Sequence, residues 1–113
     1  MQNEYKEELT KKIIAQLKHI FDPEIPVNIY DLGLIYKIDL EEKDNKTICN
    51  IDMTLTSPGC PVADNLVSEA QYAVNVLDEI DDTYINLTFS PPWDKTKVSE
   101  DGSDMMLANG FLL

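Results

Sequence analysis

The sequence contains no arginine and one histidine, and these absences exclude several classes of function. All nine basic residues are lysines, against 21 acidic residues, and the formal net charge is −12. Proteins that bind nucleic acid or anionic membranes need clustered basic side chains, and bidentate contacts to phosphate or guanine need arginine. We therefore expect neither nucleic acid nor a membrane as a partner. The acidity favours solubility, and a basic partner protein is the alternative interpretation.

Long apolar runs, glycine-rich loops and groups of metal-ligating residues are also missing. No run approaches the roughly 20 residues that span a bilayer, and the N-terminus lacks the basic and apolar blocks of a secretory signal, so a cytoplasmic location is expected. No glycine-rich loop is present to bind ATP or a dinucleotide. Two cysteines, Cys49 and Cys60, make neither a zinc site nor a four-thiolate cluster site. In a cytosolic chain, free thiols are expected rather than a disulfide.

The residues that are present predict one α+β domain over residues 1–113. Apolar residues at three- and four-residue spacing predict an amphipathic helix over residues 3–20. Its expected buried stripe is Tyr5, Leu9, Ile13, Leu17 and Ile20. The loop over residues 22–33 is apolar enough to pack onto the domain.

Alternating apolar residues predict three strands and a connecting helix. Strands over residues 34–40 and 47–56 are joined by a charged turn and form an antiparallel hairpin. A helix over residues 61–79 leads to a third strand over residues 83–89, which pairs in parallel. The expected inward residues are Leu34, Tyr36, Ile38, Leu40, Cys49, Ile51, Met53, Leu55, Ile85, Leu87 and Phe89. The fold class is thus α+β, a small three-stranded mixed sheet packed on helices in the order α-β-β-α-β-(α).

The bracketed last helix is expected to begin after Ser99 as its N-cap and to end near Ala108, before Gly110. Gly102 lies inside it and weakens it by about 1 kcal/mol relative to alanine.

Cys60 is the candidate functional residue, because Pro61 follows it. Proline is favoured at the first helical position, which places Cys60 at the N-cap beside unpaired backbone N–H groups. The positive end of the helix dipole would stabilise a thiolate there and lower the pKa of the thiol. The alternative is that Cys60 merely precedes the helix. Cys49 alternates with apolar residues and is interpreted as a buried hydrophobe.

Three other side chains have open roles at this stage. Trp93 follows two prolines and covers an edge of the core, or alternatively serves as an aromatic wall or partner anchor beside Cys60. Asp31 is a turn or capping carboxylate that could also orient the site. His19 is expected to be a surface or packing residue rather than a base.

Three segments together resemble one family. They are DPEIPVNIYDLGLIY at residues 22–36, MTLTSPGCP at residues 53–61 and FSPPW at residues 89–93. In order and spacing they are similar to the SufT/PaaD-like domain family of metal–sulfur cluster biosynthetic proteins, and the resemblance covers about residues 8–108. It implies an α+β domain and a role in maturing iron–sulfur proteins. Cys60 matches the family's reactive cysteine, with Asp31, Thr54 and Thr56 among the neighbouring motif positions.

The resemblance also implies the cargo and the partners. The cargo is a transient iron–sulfur cluster with no permanently bound cofactor, and the partners are the iron–sulfur assembly machinery and client apoproteins. If Cys60 binds the metal, further ligands must come from a partner, a second subunit or a small thiol, and a homodimer pairing two Cys60 thiols is one arrangement. We expect a non-enzymatic cluster carrier or targeting adaptor. The alternatives are a metal-free interaction adaptor and a small thiol enzyme that uses Cys60 as nucleophile.

Overall fold

The computed structural model describes residues 2–22, 25–56 and 63–110. Its elements are α1 (Asn3–Leu17), β1 (Ile35–Lys43), β2 (Lys46–Met53), α2 (Ala63–Asn75), β3 (Asp82–Leu87), a 3₁₀ turn (Lys95–Lys97) and α3 (Glu100–Ala108). This is the predicted α+β order, and the last helix is formed. In these three ranges, no helix combines the length and apolar character that crossing a membrane requires.

The β1–β2 hairpin closes through a two-residue turn. Asp44 and Asn45 both have positive φ, 54° and 64°. Two-residue hairpin turns with positive φ at both central residues match the twist of the flanking strands, and Asn and Asp tolerate this conformation better than most residues. The turn is therefore tighter than the charged segment suggested, and β1 continues to Lys43.

The sheet is mixed, as predicted. The strand order is β1-β2-β3, with β1 antiparallel and β3 parallel to β2. A parallel neighbour needs a long crossover, which α2 supplies. The Gln71 side-chain amide on α2 donates to the Thr83 carbonyl oxygen on β3 at 2.8 Å, which ties the crossover helix to its strand.

The core lies between one face of the sheet and the helices α1 and α2. The β2 contribution is Cys49, Ile51 and Met53, all fully buried. The helices contribute Leu9, Ile13, Leu17, Leu66, Ala70 and Val74. The Gln16 amide on α1 donates to the Ala73 carbonyl oxygen on α2 at 2.8 Å, so the two helices are also joined by a polar contact.

The segment after α1 is packed down, as its apolar composition indicated. Val27, Ile29 and Leu32 have no exposed surface. The predicted helix end was three residues too late, because Ile20 leaves the helix and accepts a hydrogen bond from the Ile29 amide at 2.8 Å. Ile20 lies in the turn that follows α1 and is buried there. Tyr5, in the first turn of α1, is 44% exposed and lies outside the core.

Two inward assignments in the predicted third strand, over residues 83–89, were wrong. Leu87 and Phe89 are 42% and 37% exposed, while Thr83 is buried and Ile85 is half-buried. Leu87 ends an edge strand and Phe89 follows it, and an edge strand has a neighbour on one side only. The hydrophobic alternation therefore continues beyond the part of the strand that the core covers.

The inward face of β1 is interrupted at Tyr36. Ile35 lies opposite Met53 and Lys37 opposite Asp52, so Tyr36 is an extra residue in the register. A bulge of this kind bends the strand and redirects a side chain. The predicted single face from Leu34 to Leu40 is correct on either side of Tyr36 but not at Tyr36 itself.

Candidate functional site

The described parts of the three motif segments meet at residues 31–34, immediately before β1. The Thr54 amide donates to the Leu34 carbonyl oxygen at 2.8 Å, which joins the end of β2 to this segment. The Trp93 indole Nε1 donates to the Leu32 carbonyl oxygen at 2.7 Å. Two motifs far apart in sequence are therefore both hydrogen-bonded to the backbone of the first.

Asp31 is a buried carboxylate with both oxygens engaged. Asp31 as a whole residue is only 5% exposed. The Asn28 amide donates to Asp31 Oδ2 at 2.7 Å, and the Ser99 hydroxyl donates to Asp31 Oδ1 at 2.8 Å. The Asp31 backbone amide donates in turn to Asn28 Oδ1 at 2.9 Å. Asp31 is thus a turn carboxylate, which was one of its two predicted roles. It also holds the distant segment at Ser99.

That distant segment is the start of α3. Ser99 is its N-cap and accepts from the Gly102 amide at 3.0 Å, while its own amide donates to the Asp31 carbonyl oxygen at 2.7 Å. A Cβ atom on Gly102 would lie 2.8 Å from the Asp31 carbonyl oxygen. The glycine that weakens the helix in isolation is therefore required where the helix contacts the Asp31 backbone.

Trp93 has mainly a covering role. Its ring is half-buried against the core, and its indole N–H is used by Leu32. The neighbouring Pro91 accepts a hydrogen bond from the Tyr36 hydroxyl at 2.8 Å. These contacts hold the segment after β3 against the start of β1.

Thr54 is the unusual polar residue of the cluster. It is fully buried, and its hydroxyl is the one buried side-chain polar atom in the described ranges that has no hydrogen-bond partner. Such a group carries a desolvation cost that structures generally avoid. Thr56, two residues further on, is half-buried.

Cys60, the predicted N-cap residue, lies outside the described residues, and so does Pro61, the predicted first residue of the helix. The other thiol is clearly defined. Cys49 is a free, fully buried cysteine. Desolvation, with a smaller contribution from the Asp39 charge, raises the pKa of the Cys49 thiol to about 12. The interpretation of Cys49 as a buried hydrophobe is confirmed, and this thiol remains protonated at neutral pH.

Other titratable groups support the framework. Hydrogen bonds from Thr96 lower the pKa of the Asp94 carboxyl, which caps the 3₁₀ turn. The Lys12–Glu79 ion pair lowers the pKa of Glu79 and raises that of Lys12, and it joins α1 to the connection after α2.

His19 is exposed just after α1, as expected. Among the described residues, no cluster of three or more His, Cys, Asp or Glu could hold a metal ion.

Two side-chain partners of Asp31 were not predicted from the sequence. Asn28 and Ser99 as partners of Asp31 were missed, although the three-residue spacing of Asn28 and Asp31 is typical of a side-chain-capped turn. The Ser99 contact bridges 68 positions and has no local signal.

Residues 10–87 match the family described as "Iron-sulfur cluster assembly protein". The chain belongs to this family. It is 40% identical over 112 residues to the "Fe-S protein maturation auxiliary factor" of Porphyromonas gingivalis, covering 99% of this chain and all of that one.

The chain is also similar to a second maturation factor and to a solved structure. The "Fe-S protein maturation auxiliary factor YitW" of Bacillus subtilis is 40% identical over 93 residues, 82% of this chain and 88% of that one. The crystal structure of a domain of unknown function, DUF59, from Bacillus anthracis has a TM-score of 0.77 and 33% identity, covering 94% of this chain and 95% of that one. The family resemblance and the fold class predicted from the sequence are both confirmed.

Proposed function

We propose that this chain is an iron–sulfur protein maturation factor that holds or hands over a cluster through Cys60. Its family membership and the names of its relatives support the maturation role. The observation that supports Cys60 as the contact is the state of the other thiol. Cys49 is sealed in the core with a pKa of about 12, so a thiolate ligand from this chain has to come from Cys60.

A single thiolate makes the cargo transient. One cysteine supplies one ligand, and cluster irons are held by several thiolates. The carboxylate of the motif residue Asp31 already accepts hydrogen bonds at both oxygens, from Asn28 and Ser99. The remaining ligands are therefore proposed to come from a partner, a second subunit or a small thiol, and transfer to a client would proceed by exchange of those ligands. In this role the chain is a carrier and not an enzyme.

Anaerobic reconstitution with ferrous iron and sulfide tests the carrier role. Wild type and a Cys49→Ala variant should both develop thiolate-to-iron absorption, and Cys60→Ser should not. The Cys49→Ala variant is the matched control, because it removes a thiol without removing the proposed ligand. Equal absorption in wild type and Cys60→Ser, or none in either, would eliminate direct carriage through Cys60.

A targeting adaptor is the second candidate, and a specific observation favours it: an open groove beside the motif cluster, which is described below. In this case Cys60→Ser would preserve client maturation in cells, whereas changes in the groove would reduce it. The two candidates therefore predict opposite outcomes for the same variant.

A further inference from the structure

The groove lies beside the outer edge of β1. One half, with a volume of about 440 Å³, is lined by Gly33, Ile35, Tyr36, Pro91 and Lys97. The other half, of about 250 Å³, is lined by Thr10, Ile14, Tyr30, Ile35, Tyr36, Lys37 and Ile38. Ile35 and Tyr36 line both halves, so the two cavities adjoin at the bulge and are together called the groove.

The groove runs along a strand edge. Ile38 pairs with the buried Ile51 and faces the helices, whereas its neighbour Lys37 projects to the other face of the sheet. A groove that borders both residues reaches the edge of the strand between them. Within the described ranges, β1 pairs only with β2, so this edge offers backbone N–H and C=O groups to an additional strand.

The charge of the groove is opposite to that of the molecule. The chain carries 21 acidic residues and a net charge of −12, yet none of the described residues lining the groove is acidic. Lys37 and Lys97 are part of the lining. The Lys97 ammonium lies 5.2 Å from the centre of the Tyr36 ring, and Lys18 lies 5.6 Å from that of Tyr30. Two of the nine lysines therefore line a groove that also contains two tyrosines and three isoleucines, and a third lysine lies over the ring of Tyr30.

We propose that this groove binds an extended, acidic segment of a partner protein, in which carboxylates alternate with apolar side chains, by adding it to the edge of β1. Successive side chains of a strand point to opposite sides, so apolar residues can enter the groove while carboxylates reach the lysines. Charge complementarity selects the partner, since a basic segment would meet the lysines and would be repelled. The inference deepens the proposed adaptor role and rests on it for the identity of the partner as a client or assembly protein.

Binding is measured with a fluorescein-labelled peptide of about eight residues, near the upper length of common strands, in which glutamate alternates with valine. The matched peptide has lysine in place of glutamate. We expect saturable binding of the acidic peptide alone, with protection of the backbone amides of residues 35–38 from hydrogen exchange. Equal binding of the basic peptide, or protection confined to other residues, would overturn the proposal.

Charge reversals locate the contact. Lys37→Glu and Lys97→Glu should each weaken the acidic peptide about fivefold, since exposed charge pairs contribute up to about 1 kcal/mol. Lys46→Glu, at the far end of the hairpin, is the matched control and should have no effect. Lys37→Gln, which removes the charge without reversing it, gives an intermediate loss and guards against misfolding of the reversed variant. Equal losses for Lys46→Glu and Lys37→Glu would show a general charge effect and refute the docking site.

Competition with two other anions tests whether the groove is specific for an acidic peptide. Inorganic phosphate and an oligothymidylate, each at constant ionic strength, should fail to displace the peptide, and displacement by either would replace the proposal with a phosphate or nucleic-acid site. Cys60→Ser should bind the peptide as wild type does. A failure of peptide binding with intact cluster uptake therefore refutes the groove alone, and the reverse result refutes the carrier role alone.

Discussion

Replacing Thr54 by valine exchanges a buried hydroxyl for a methyl group of similar size. Because the Thr54 hydroxyl has no hydrogen-bond partner among the described residues and the side chain is fully buried, the wild type bears an uncompensated desolvation cost. Mutational data put that cost at about 1–3 kcal/mol. We expect Thr54→Val to raise the free energy of unfolding by about 1–2 kcal/mol, which corresponds to roughly 4 °C in Tm per kcal/mol for a domain of this size.

Urea denaturation of the purified protein gives the measurement, and Thr83→Val gives the matched control. Thr83 is also buried, but its hydroxyl donates to Asn75 Oδ1 at 3.0 Å. The same substitution there should lower the free energy of unfolding by about 1 kcal/mol, because a hydrogen bond is lost. A destabilised Thr54→Val protein would refute the reasoning, since it would mean that the hydroxyl is paired in solution. Loss of client maturation with a gain in stability would show that the hydroxyl is retained for function.

Three further predictions concern the framework. Gly102→Ala should destabilise the protein by about 1–3 kcal/mol in thermal unfolding, although alanine favours helices, because its Cβ meets the Asp31 carbonyl oxygen; a stabilised variant would contradict the observed contact. Ser99→Ala removes both the cap and the donor to Asp31 and should cost about 1–2 kcal/mol, whereas Ser99→Thr, which keeps the hydroxyl, should recover most of this in the same assay. In a Cys60→Ser background, Cys49 should stay unmodified by a thiol reagent at pH 8 and react fully in urea, since burial raises its pKa to about 12; rapid labelling of the native protein would disprove the burial.

The buried Cys49 also has a defined effect on pH dependence. Its folded-state pKa of about 12 is higher than the value of about 8.5 for a free thiol, so the folded state binds the proton more tightly. The resulting stability is fully present below about pH 8.5 and is lost as the pH rises towards 12. Cys49→Ala should remove this alkaline loss, and chemical denaturation between pH 8 and pH 11 measures the difference. Identical alkaline profiles for the two proteins would argue against ionisation of Cys49 as the cause.

The sequence was sufficient for the architecture because the responsible signals are local. Leu9, Ile13 and Leu17 repeat at helical spacing, and Cys49, Ile51 and Met53 alternate, so the periodicity identifies the helix and the central strand. The last helix was placed well from Ser99 and Gly110, two terminal residues whose roles are chemical and need no tertiary information.

The errors and omissions arise where distant segments decide the outcome. The end of α1 was placed too late because Ile20 is hydrogen-bonded to Ile29 outside the helix, and the bulge at Tyr36 depends on pairing with β2. Gly102 looked unfavourable in its own helix and is explained only by the Asp31 backbone. The groove was not predicted for the same reason, because Lys97 and Tyr36 are brought together by the chain's return after β3.

The Ser99 hydroxyl has two structural roles, which restricts how this position can change. Ser99 both begins α3 and donates to Asp31, and Asp31 in turn fixes Asn28 across a tight turn. We therefore expect these three positions to change together: a relative that lacks the serine hydroxyl would leave the buried carboxyl group short of a donor, and it is expected to differ at the aspartate as well. Paired substitutions at positions 31 and 99 across many relatives would be the evolutionary trace of this contact.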